Sequence, residues 1–202
     1  MNKIKSVIVN DRFLESIAIN LHNEAKVARE GHRFKKIVPA LAFYCFTLES
    51  KLLTYGKAVF TIRREYKSYT NATLYDKFVW LLNRLNTPEI DAIEKCKTVI
   101  ADMVQFRNAL THSKNIDIEE ERELVGLEKF DDRYVHVTSN DKDFMTLSSL
   151  EKLDEFYEAI YMLDRIWLIQ GSKHFNGDTK SLLVNMSRAK VIDRDKDDYR
   201  PS

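Results

Sequence analysis

The segment Arg107-Asn108-Ala109-Leu110-Thr111-His112 holds the residue types best able to do chemistry in this chain. Arginine presents a planar fork of donors that fits a phosphodiester, and histidine exchanges a proton near neutral pH. Together they suffice for RNA cleavage without a metal. A base takes the 2′-OH proton, the alkoxide attacks the adjacent phosphorus, and a cation stabilises the charge that builds up. On an ideal helix Asn108 and His112 are four apart and share a face, whereas Arg107 lies on a neighbouring one. Arg107 also takes the next core step after Met103 and before Leu110, where an apolar side chain is expected. A charge there is either paired internally, with Glu49 or another acid, or exposed in a cleft.

Other chemistries lack support. The five glycines are scattered and form no phosphate loop, and there is no GxSxG turn to present a serine. Neither a CxxC nor an HExxH pair is present, so a metal site has no basis in the sequence. His22, His32, His136 and His174 have no patterned partner and read as structural or exposed. Asp117 to Glu123 is an acidic run, most simply solvated.

The elements that must position the segment are helical. Leu14, Ile17, Leu21, Ala25 and Ala28 predict a first helix from about Asp11 to Gly31, with the glycine as its stop. A second starts near Pro39 and carries Leu41, Cys45, Leu48, Leu52, Tyr55, Val59, Ile62 and Tyr66 as one heptad stripe. Glu49 flanks that stripe, and Arg63, Arg64 and Lys67 end it. These three could continue an RNA path or be a solvated helix end.

A shorter helix shows Leu74, Phe78, Leu81 and Leu85 on one face. Thr87-Pro88-Glu89 then reads as the cap and first turn of the helix ending near His112 to Asn115. Leu124 to Phe130, Tyr134 to Thr138 and Phe144 to Leu147 read as short strands. Ser148-Ser149-Leu150-Glu151 fits a capping box before a last long helix that Gly171 ends. The expected fold is mainly α: an antiparallel helical bundle of about five helices with a small β-hairpin insertion before the last long helix.

Composition agrees with that class. Hydrophobic residues are 44% and charged residues 31%, with only 5 Gly and 3 Pro. A net charge of +1 argues against coating nucleic acid along the whole surface, and leaves room for a local basic cleft. Cys45 and Cys96 sit in apolar helical patterns and read as buried reduced thiols. The apolar run Ile37 to Leu48 is short for a bilayer, and the N-terminus lacks a signal-peptide pattern, so no membrane and a cytoplasmic location are expected.

The arginine followed by a polar residue and, four to six residues on, a histidine resembles the motif of the HEPN superfamily. These small helical domains are often metal-independent endoribonucleases. The likeness extends to an early helix carrying Ala-Phe-Tyr-Cys-Phe-Thr-Leu-Glu-Ser-Lys-Leu, and covers roughly Pro39 to Trp167. It implies one HEPN-like domain over residues 1–175, with the β insertion at about 122–147 and a polar tail over 176–202. It implies Arg107 and His112 as catalytic residues, Asn108 orienting the histidine or phosphate, and Glu49 positioning Arg107. It further implies RNA as substrate, no metal or cofactor, a homodimer, and a prokaryotic toxin, stress or phage-defence role with an antitoxin or defence-system partner. Members paired with nucleotidyltransferase antitoxins carry a tyrosine where this chain has Lys114. A non-catalytic HEPN-like module binding a partner protein or nucleotide is the other reading of the same likeness.

Overall fold

The fold was read from a computed structural model, which describes residues 4–7, 10–111, 123, 126–129, 146–178 and 188–191. The chain is mainly helical. Six main helices follow one another among the described residues: α1 (Asp11–Val27), α2 (Glu30–Val59), α3 (Arg63–Asn71), α4 (Leu74–Arg84), α5 (Asp91–Thr111) and α6 (Leu150–Ile166). One short antiparallel pair, β1 (Ile4–Val7) with β2 (Arg188–Val191), joins the two ends of the chain. It was not foreseen, and β2 lies inside the stretch expected to be a polar tail.

Several boundaries differ from those expected, each for a local reason. The first break falls at Ala28 and Arg29, whose extended backbones (ψ 146° and 147°) stop α1 before Gly31. The Arg33 guanidinium donates to the freed Ala28 carbonyl at 3.4 Å. Gly31 therefore sits in the first turn of α2, and Pro39 lies inside that helix rather than at its start. An interior proline removes one backbone hydrogen bond at a cost of about 3 kcal/mol in an isolated helix. Here Ala40 and Leu41, both fully buried, hold the turn against the core.

The heptad stripe does not run on to Tyr66. Phe60 closes α2 by donating its N–H to Gly56 O at 2.8 Å, Ile62 is 56% exposed, and Tyr66 belongs to α3. Farther along, α5 starts at Asp91, after the expected Thr87-Pro88-Glu89 cap. Ser149 rather than Ser148 caps α6, accepting the Lys152 N–H at 3.2 Å. Gly171 does not end that helix: a π-turn over Trp167–Gly171 carries it into Ser172–His174. Asn176 and Gly177, both at positive φ, then terminate it.

Of the three expected strands, the described parts are helical. Gly126–Lys129 is a single 3-10 turn opened by Gly126 at φ 60°, a left-handed value that breaks an extended strand. Thr146 and Leu147 are helical as well. The remainder of the expected insertion lies outside the described residues.

Helix α2 is central and touches α1, α4, α5 and α6. Its apolar length has a use: Ala40, Leu41, Tyr44, Cys45, Leu48, Leu52 and Tyr55 are all buried in the common core. By length and composition the His32–Val59 part would also suit a bilayer, but its apolar side chains are those that close this core. Contacts give the directions. Lys36 pairs with Glu24 and Lys51 with Glu15, so α1 and α2 are antiparallel. Tyr44 meets Tyr157 and Tyr55 stacks on Trp167 at 4.3 Å, so α2 and α6 run the same way.

Two polar knots lock these three helices. The Lys51 ammonium, 1% exposed as a residue, lies 3.0 Å from Glu15 and 2.8 Å from Asp164, which also accepts from Tyr55 Oη at 2.7 Å. Burial opposes its charge, yet Asp164 and Glu15 outweigh that and raise its pKa above the ordinary lysine value. About two turns of α2 away, His22 lies 3.1 Å from Asp154 Oδ1 and 2.9 Å from the Tyr44 hydroxyl. A carboxylate can only accept, so Nε2–H donates to Asp154 and Nδ1 accepts from Tyr44.

Burial, followed by the Lys26 charge, lowers the His22 pKa below its ordinary 6.5 against the pull of Asp154. The unfolded chain therefore binds this proton first, and stability falls as pH drops through 6.5 toward the folded value. Thermal melts should show that loss, and His22→Gln should melt lower at pH above neutrality yet with a shallower acid slope. An unchanged slope would remove His22 as its source.

Gly56 supplies a sharper test of packing. A Cβ there would overlap the Tyr69 ring, which is fully buried and donates to Leu52 O at 2.7 Å, so the ring cannot yield. Gly56→Ala should lower stability by about 1–3 kcal/mol in denaturant melts, although alanine is the better helix former.

Candidate functional site

A cavity of about 270 Å³ opens where α2, α4 and α5 meet the α3–α4 turn. Glu49 enters it from α2, Val104, Arg107 and Asn108 from the last turns of α5, and Leu74 and Lys77 from α4. Ala72 and Thr73 of the turn complete the wall. Thr73 caps α4 by accepting the Asp76 N–H at 3.1 Å, which fixes the turn and brings the positive end of the α4 dipole to the cavity.

Three of the expected site residues, Glu49, Arg107 and Asn108, thus share one cavity although they come from two helices. Arg107 and Glu49 also flank Cys45. Burial pushes that thiol far up from its ordinary value, while the Arg107 charge pulls it down and Glu49 pushes it up. No ion pair joins Arg107 to Glu49, or to any other carboxylate, among the described residues. The guanidinium instead donates to its neighbour Asn108 Oδ1 at 3.4 Å. Thr111 Oγ1 donates to the Arg107 carbonyl at 2.9 Å and serves the last turn of α5. His112 lies outside the described residues, as does Lys114.

The core step assigned to Arg107 belongs to its neighbour. Phe106 is fully buried and meets Phe156 edge-on at 6.2 Å, while Arg107 is only half-buried. After Met103 a helix can bury the residue three or four positions on, and here the aromatic ring took the place. Arg107 is therefore a rim residue of the core and a wall residue of the cavity.

Lys77 was missed. It stands three residues after Leu74 and four before Leu81, on the apolar face of α4, and is 7% exposed. No carboxylate lies within ion-pairing distance of it among the described residues. The signal was present in the sequence as a lysine on a hydrophobic stripe. Lys77, buried as a residue, and the half-buried Arg107 thus bring two cations to one cavity with no carboxylate partner among the described residues, an arrangement that suits an anion.

Arg63, Arg64 and Lys67 are exposed at the other end of α3, and none of them lines this cavity. Among the described residues no group of three His, Cys, Asp or Glu side chains is placed to hold a metal ion. Cys96, like Cys45, is buried, and burial raises its pKa to about 12, so neither thiol is a nucleophile in the folded chain. No family model, no curated protein and no solved structure matches the chain. The site is defined by its own geometry: a cationic, part-enclosed cavity with one carboxylate and one amide.

Replacing Lys77 by methionine separates its two roles. Keeping the buried apolar stem while removing a charge that no carboxylate partners should leave stability within about 1 kcal/mol of the parent or above it. Inorganic pyrophosphate should raise the melting temperature of the parent protein, and the same Lys77→Met variant should lose that rise. A variant that melts lower without ligand would mark Lys77 as structural instead.

Proposed function

We propose that the chain is a metal-independent endoribonuclease of HEPN type. It cuts RNA by attack of a 2′-OH on the adjacent phosphorus to leave a 2′,3′-cyclic phosphate. The observation that carries this reading is that Glu49, Arg107 and Asn108 line one cavity with Lys77, with neither cation paired to a carboxylate among the described residues. A phosphodiester supplies the missing anion. Arg107 grips two of its oxygens as a fork, and Lys77 adds a point charge as negative charge grows on phosphorus-bound oxygen. Asn108 holds the guanidinium at 3.4 Å and leaves its amide donors for the substrate. Glu49 limits the net charge of the cavity and orients Arg107. His112, one residue beyond the end of α5, takes the 2′-OH proton.

The rest of the reading follows the same resemblance. The protein works as a homodimer with both motifs at one cleft, in the cytoplasm, as part of a prokaryotic toxin, stress or phage-defence system with an antitoxin or defence-system partner. The helical-bundle arrangement belongs to this proposal too.

Incubating cellular RNA with wild type, Arg107→Ala and His112→Ala in EDTA tests it. Wild type should cleave to 2′,3′-cyclic phosphate ends, and each variant should be slower by about 10²-fold or more. A folded wild-type dimer that cleaves no RNA under these conditions would replace the nuclease by the non-catalytic module, binding a partner protein or nucleotide through the same cavity.

A further inference from the structure

A second cavity, of about 370 Å³, lies at the opposite end of α3 and is lined by Phe60, Arg64, Glu65, Ser68, Trp80 and Arg84. Its volume falls within the range of small-ligand sites, roughly 300–1,000 Å³. Its floor is aromatic and rigid. Tyr69, fully buried, stacks on Phe60 at 4.6 Å and supports Trp80 at 6.4 Å. Trp80 keeps 40% of its surface in solvent, so its ring is accessible from the cavity. Arginine surrounds it. The Arg84 guanidinium sits 5.8 Å from the Phe60 ring centroid and is held by Glu65 at 3.5 Å, while Arg64 is exposed on the rim. The cavity thus carries two guanidinium groups against Glu65, while Arg63 and Lys67 are exposed on the same helix outside its lining.

We infer that this cavity is a stacking platform for a nucleobase of single-stranded RNA, with Trp80 as the stacking surface and Arg64 and Arg84 as backbone-phosphate contacts. An exposed aromatic face with flanking guanidinium groups is the combination that holds unpaired strands, because every base has a π-face and every linkage a charge. A duplex cannot use it, since its bases are already stacked on one another. The position gives the direction of the strand. The first turns of α3 supply Arg64 and Ser68 to the platform, and the turn after its last residue supplies Ala72 and Thr73 to the Arg107 cavity. Nine helical residues rise about 13 Å, a span of a few nucleotides. The inference rests on the ribonuclease reading of the Arg107 cavity and names its substrate as a single strand entering along α3.

Binding is best read in the His112→Ala background, where cleavage does not deplete the probe. Fluorescence anisotropy of a labelled, short single-stranded oligouridylate should show Trp80→Ala binding about ten-fold more weakly than its parent. Trp80→Phe, which keeps an aromatic face, should recover most of that loss, and Arg84→Gln should weaken binding without lowering the melting temperature. The same oligouridylate should quench the intrinsic fluorescence, since Trp167 is 2% exposed and Trp80 is the accessible indole. Duplex RNA should bind weakly and equally to all variants. Unchanged affinity in Trp80→Ala, or a duplex that binds as tightly as the single strand, overturns the platform. Because binding is measured without turnover, Trp80-dependent binding by a protein that never cleaves would sink only the nuclease reading. Trp80-independent binding with intact cleavage would sink only the platform.

Discussion

The Lys51 ammonium is the interaction on which the arrangement turns. It sits almost fully inside the protein, on the central helix, with one carboxylate from α1 and another from α6. Taking the Lys51 charge out of water gains little net stability, because attraction to the two carboxylates roughly offsets its lost hydration. Geometry is what it secures. A slip that took Lys51 away from both carboxylates would leave its buried charge unpaired, at about 3–5 kcal/mol, so α1 and α6 are held to one register against α2. The Tyr55 hydroxyl on Asp164 and the Tyr55–Trp167 stack make that register exclusive, since a slip of one turn would break all of them together.

That register decides where the candidate site can lie. Glu49 and Lys51 are two residues apart on α2, a rotation of about 200°, so they point to opposite sides of the helix. Lys51 faces α1 and α6, and Glu49 faces α4 and α5. Between them the stripe of Cys45, Leu48, Leu52 and Tyr55 is buried. One helix therefore separates a satisfied ionic knot from an unsatisfied cationic cavity. The contrast is informative. At Lys51 two carboxylates answer one cation, whereas at Arg107 and Lys77 one carboxylate faces two cations and pairs with neither. The first pattern holds a fold together, and the second is the one on which the proposed phosphate site rests.

Helix α3 links the two cavities that carry the functional argument. It is short, polar and packed mainly through Tyr69, whose ring fills the space left by Gly56 and whose hydroxyl donates to the backbone of α2. The glycine permits the helices to approach, and the tyrosine then orients both the aromatic floor at one end and the α4 cap at the other. A local close contact thus sets the spacing between the Trp80 cavity and the Arg107 cavity.

Much of this was legible in the residues alone. Apolar spacing located α1, α4, α5 and α6 to within a few positions, because a stripe of three-and-four steps must be buried wherever it occurs. The Arg-Asn pair near the end of α5 and the acid on α2 were legible as residue types with a common chemistry. Local rules failed where two of them competed. Gly31 read as a stop but fell in a first turn, Pro39 read as a start but was carried by the core, and Phe106 took the core step assigned to Arg107. Only the tertiary structure decided that Glu49, Lys77 and Arg107 share a cavity. Periodicity orients a side chain about its own helix axis, but it carries no information on which other helix that face will meet. Whether a buried lysine meets carboxylates, as Lys51 does, or none, as Lys77 does among the described residues, depends on contacts between segments far apart in the chain. That single difference, invisible in either helix by itself, is what separates the ion-paired Lys51 from the unpaired Lys77 of the candidate site.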